Sequence, residues 1–211
     1  MRPRNAMWLA LRDFYANSWR LVVVNAVLGA VLVVAILATL AEPLAIVFVV
    51  ATGPVVAAVV HCAVTLVRTG DFTLADAVDG LRLHWLRGLE LSGAGATLAA
   101  LGILALRFYS GAALWPLAFL TFYVLLLLAI FGFVVWTVAI AAPDRSLGAV
   151  VRESASLTAA RPGQTLVLGL ALLLLHVAGV AAAVMPFLTL TVAYTFLVTA
   201  RFLVTPEEET A

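Results

Sequence analysis

The 211-residue chain carries a formal net charge of +1, is 65% hydrophobic and only 11% charged, whereas a soluble domain is near half apolar and a quarter charged. One globular core cannot hide so much apolar surface, so a water-soluble protein is excluded and lipid must be the solvent for much of the chain. A single cysteine, Cys62, excludes an intramolecular disulfide and a cysteine-cluster metal site.

A polar arm over residues 1–20 leads into the first apolar run, 21–40, interrupted by Asn25 and ended by Glu42-Pro43. The second run, 44–67, contains Gly53-Pro54. Polar sequence over 68–90 precedes a third run at 91–106. A short break leads to a fourth at 112–142, and a second polar block covers 143–164. The last run, from Thr165 to Val204, would be about 60 Å long as one helix, roughly twice the hydrocarbon thickness. Gly179 and Met185-Pro186 offer a turn, which splits it into spans at 165–182 and 186–203. The expectation is an all-α, polytopic transmembrane bundle of six spans, with five as the alternative, forming one integral membrane domain over 1–211.

Arginine placement sets the orientation. All twelve basic residues are arginine, and only Arg107 falls outside the arm, the two polar blocks and the chain's end. This positive-inside bias puts both termini and the segments 1–20, 68–90 and 143–164 in the cytoplasm. With five spans only Arg201 changes side.

The stretch DFYANSWRLVVVN at 13–25 is echoed by DGLRLHWLRGLEL at 79–91. In each, Asp lies six residues before Trp, an Arg follows within two residues, and a span comes next. ESASLTAARPGQT at 153–165 keeps the acid, the basic residue and the span. These echoes imply a three-fold repeat of an amphipathic helix plus a two-span hairpin, an arrangement familiar in transport folds.

Thr73 followed by Asp76 has the spacing of a capping box, so a helix is expected to begin there. On it Leu74, Ala77, Val78, Leu81, Trp85 and Leu89 share one arc, with Asp79, Arg82, Arg87 and Glu90 opposite. That is the pattern of an interfacial helix among cytoplasmic headgroups, anchored by Trp85. Leu83 and Leu86 fall on the charged arc and imply contact with other cytoplasmic segments. His84 reads as interfacial.

No Walker loop, dinucleotide fingerprint or HExxH helix is present, and no enzyme, cofactor or metal is expected. The arginines are spread along the membrane edge and mixed with acids, which argues against nucleic acid. Candidate functional residues are therefore polar or helix-breaking groups inside apolar runs: Asn25, His61, His176 and Gly53-Pro54. Each has a structural reading too. Asn25 can make an interhelical hydrogen bond, and either histidine can be a neutral packing residue. Gly53-Pro54 can be a packing kink whose freed carbonyls hold a ligand or are satisfied by a neighbour. His61 and His176 fall at different depths, which argues against a shared metal.

FYANSWRLVVVN, GPVVAAV and RTGDFTLADAVDGLRLHWLRG together resemble the YesL-like family of small bacterial integral membrane proteins. The matching positions are Asn17, Trp19, Gly53, Pro54, Ala57, Ala58, Asp71, Phe72 and Trp85, over about the first 90 residues. Ala75 and Ala77 stand where that pattern has an aromatic. The resemblance implies a cytoplasmic-membrane protein without established activity, whose kin accompany carbohydrate-uptake systems. The expected function is a non-enzymatic accessory or transport-associated component, in contact with membrane lipids and a partner such as a transporter complex. The alternative is a small solute-binding transporter or substrate-capturing subunit, with Gly53-Pro54 lining its cavity.

Overall fold

The structure is a computed structural model and describes residues 3–42, 47–181 and 191–204. Among these residues it is all-helical. Helix α1 (Pro3–Ala16) buries Ala6, Ala10 and Asp13, one face at i, i+4 and i+7, and its main partner is the last helix, α9 (Val192–Leu203). Asn17 breaks the chain between α1 and α2 (Ser18–Ala41), donating from its side chain to the Asp13 carbonyl at 3.3 Å.

The second apolar run is two helices, α3 (Val47–Ala51) and α4 (Gly53–Thr69). Pro54 has no N–H, so it cannot donate to the Val50 carbonyl four residues back. Ser92 takes over that role, its hydroxyl donating to Val50 O at 2.7 Å. α4 ends at Gly70, whose φ of +82° is the left-handed cap that glycine adopts without strain.

α5 (Leu74–Gly111) opens on the capping box that the Thr73/Asp76 spacing predicts, with Thr73 N donating to Asp76 Oδ2 at 2.6 Å. It then runs 38 residues without a break, about 57 Å. The segment expected in the cytoplasm up to residue 90 and the run expected as a span from 91 are therefore one continuous helix. No proline interrupts residues 74–111, and Glu90 alone cannot stop a helix.

α6 (Trp115–Ala141) returns alongside α5, starting with proline at its second position. α7 (Leu147–Ala160) is capped by Ser146 and stops because Pro162 keeps Arg161 out of the helical region, at φ −142°. α8 (Pro162–Ala181) follows. The expected repeat is uneven. The lead-in helices α1 and α7 each have 14 residues and one breaking residue after them, whereas the middle lead-in is fused to its span.

Among the described residues five helical stretches are long and apolar enough to cross a membrane: Ser18–Ala41, Val47–Thr69, Leu74–Gly111, Trp115–Ala141 and Pro162–Gly179. α9 has 12 residues, about 18 Å, short of the roughly 30 Å hydrocarbon thickness. The hairpin turn expected at Met185-Pro186 lies outside the described residues.

α4 occupies the middle, packed by α5, α9, α6 and α2. His61, Thr65 and Arg68 fall along one side of it, at i, i+4 and i+7, and its buried residues are mostly alanine and valine. These small side chains let its neighbours approach closely. α9 is buried to the same degree.

Candidate functional site

The seam between α4 and α5 brings together more of the polar and helix-breaking residues than any other junction described. The two helices run antiparallel, and glycines set how closely they meet. A Cβ on Gly53 would overlap the Gly88 carbonyl and the Ser92 hydroxyl, and a Cβ on Gly88 would lie 2.6 Å from the Gly53 carbonyl oxygen. One Gly80 Cβ position lies 2.7 Å from His61 Cβ. Gly80, His84 and Gly88, at i, i+4 and i+8, therefore form one stripe facing α4.

Within this seam His84 Nε2 lies 3.2 Å from His61 Nδ1, with ring centroids 5.1 Å apart. One nitrogen donates and the other accepts. His84 is 4% exposed, which corrects its reading as an interfacial residue. Its burial follows from the glycines one turn before and one turn after it, and that Gly-x-x-x-His-x-x-x-Gly spacing was the signal in the sequence. The leucine arc around Trp85 was the louder pattern, but Leu74, Val78, Leu81 and Trp85 face outward. Leu83 and Leu86 are likewise exposed, 70% and 57%, so they do not make the expected contacts with other cytoplasmic segments.

The remaining candidates separate. Asp79 and Arg82 are exposed on the outer side of α5. Arg87 instead turns inward, donating to the Pro143 and Arg145 carbonyls at 3.1 and 2.5 Å. Asn25 is fully buried, and its Oδ1 accepts from the Ala193 amide at 3.0 Å. It thus satisfies one of the orphan N–H groups in the first turn of α9. His176 lies on α8, stacked on Phe133 at 5.7 Å with Nδ1 2.8 Å from the Leu172 carbonyl oxygen, apart from the histidine pair. Among the described residues no three His, Cys, Asp or Glu side chains are grouped to hold a metal ion.

A second polar layer is made of arginines. Arg201 meets Asp13 Oδ2 through Nε at 2.6 Å and Nη2 at 2.5 Å, with both side chains largely buried. Arg20 pairs with Asp71 at 2.6 Å and donates to the Phe72 carbonyl. Arg68 donates to the Ala141 carbonyl at 2.9 Å, a cation placed where the last carbonyls of α6 concentrate negative charge. Arg145 pairs with Glu153.

Among the cavities between described residues, two adjoin this framework. One of about 690 Å³ between α1, α8 and α9 is lined by apolar side chains such as Met7, Phe14, Leu172 and Leu175. The other, about 330 Å³, lies among Arg68, Thr137, Arg145 and Glu153.

No protein-family model matches the chain, and neither a curated protein nor a solved structure does.

Proposed function

We propose that the chain is a multi-pass protein of the cytoplasmic membrane acting as a non-enzymatic, transport-associated accessory component, in the manner of the YesL-like proteins it resembles and with carbohydrate uptake as its context. Six crossings with both termini in the cytoplasm belong to this reading, and the arginine distribution supports them.

The observation that carries the reading is where the interior cations go. Arg68, Arg87 and Arg201 each bind a carbonyl or carboxylate of another part of this same chain. Such groups brace the bundle and leave few interior donors for a polyhydroxylated solute, which needs several convergent ones. The larger cavity, being apolar, suits a sugar poorly. What remains for a partner is the exterior: the charged side of α5 with Asp79 and Arg82, and broad apolar helix faces.

Affinity purification in mild detergent is expected to recover a membrane transport component, and deletion of the gene is expected to reduce sugar uptake. Recovery of no partner together with unchanged uptake would overturn the proposal. A sugar that raises the melting temperature of the purified chain by itself would favour the solute-binding alternative.

A further inference from the structure

We propose that His61 and His84 form a proton-operated latch between α4 and α5, closed while either ring keeps a lone pair for the other and released when both are protonated. A neutral imidazole has one donor and one acceptor nitrogen, whereas an imidazolium donates from both. The 3.2 Å contact between His61 Nδ1 and His84 Nε2 needs one proton and one lone pair. It survives with both rings neutral, and with a single added proton it becomes a charge-assisted bond. A second proton sets two N–H groups and two positive charges against each other.

The surroundings turn that conflict into helix movement. Gly80 lies against His61 and brings no side chain that could accept instead. His84 is 4% exposed, so its ring reaches water only if the helices part. His61 is only partly buried, so one ring of the pair reaches the outside of the bundle. The charged groups whose fields reach the pair are Asp76 and Asp79 of α5 and Arg68 of α4 around His61, with Arg87 of α5 near His84. Asp76 is tied to Thr73, and both arginines are anchored on backbone carbonyls. The inference is independent of the accessory reading, because it concerns how this seam opens and not what binds to it.

The test uses the full chain in lipid nanodiscs, taken from about pH 8 to about pH 5, the range in which histidines gain charge. The wild-type melting temperature is expected to fall by about 3–8 °C. Amides over residues 57–66 and 77–88 are expected to lose exchange protection after correction for intrinsic rates. The double variant His61→Gln/His84→Gln keeps a donor and an acceptor across the seam without a titrating ring, so it should melt like wild type at the upper pH and lose the drop. His176→Gln should retain the drop. A wild-type melt and exchange pattern flat across the range would overturn the latch, as would a double variant that falls as far as wild type. If the double variant does not fold, the wild-type exchange data decide: loss confined to the two seam segments supports the latch, and uniform loss overturns it.

Discussion

The two halves of α5 follow opposite rules. Residues 74–92 carry most of its charges, yet this half makes the tight interface, through Gly80, His84 and Gly88 against α4. Residues 93–111 are far more apolar, yet none of them is fully buried. Beside them, the first half of α6 is as open, with Ala118 alone buried between Trp115 and Ala129. In water the apolar half would be the one driven into contact. In lipid, apolar side chains gain nothing by leaving acyl chains for one another, so small residues, close backbones and hydrogen bonds select the interface instead. Apolarity marks what faces the bilayer, and smallness marks what faces protein.

The widest separation between the halves is expected from glycine replacements. Gly53→Leu drives a side chain into the Gly88 backbone and should abolish the monodisperse folded peak in detergent size-exclusion chromatography. The same change at Gly95, which has open space beyond it, should leave that peak in place. Asp13→Ala comes next. It strands Arg201 in a largely buried site and should cost about 3–5 kcal/mol in reversible unfolding, where an exposed pair such as Arg20–Asp71 would cost far less. Leu101→Arg tests the other side of the comparison. If lipid covers this exposed face, insertion of the α5 span should be penalised by about 2.5–3.5 kcal/mol in a glycosylation-mapping assay. An unaffected span would mean that water or protein lies there. The smallest effect is Gly95→Ala, expected to stabilise the open half of α5 by no more than about 1 kcal/mol, through helix propensity alone.

Much of this architecture is legible in the sequence because lipid imposes strict local rules. The apolar runs locate α2, α4, α6 and α8, and Pro54 marks the break between α3 and α4. Thr73 with Asp76 marks the start of α5. The histidine pair was not legible, because His61 and His84 stand 23 residues apart on segments read as different environments, one a span and the other a membrane surface. Ser92 was equally hidden. Its role depends on Pro54 leaving the Val50 carbonyl without a donor and on α5 passing close enough to supply one. Asn25 was picked out as a polar residue in an apolar run, but its partner is an amide at the start of a helix 168 residues away.

By itself the sequence determined the apolar, helical class, the start of α5 at Thr73 with Asp76 and the break at Pro54, since each of these follows from residues within a turn or two of one another. Tertiary structure alone decided which side of each helix is interior. It chose the glycine stripe of α5 over the leucine arc. It also joined Asp13 to Arg201 and His61 to His84. Those outcomes depend on how closely two backbones can approach, and on which buried donor finds an acceptor, and neither is encoded in hydropathy.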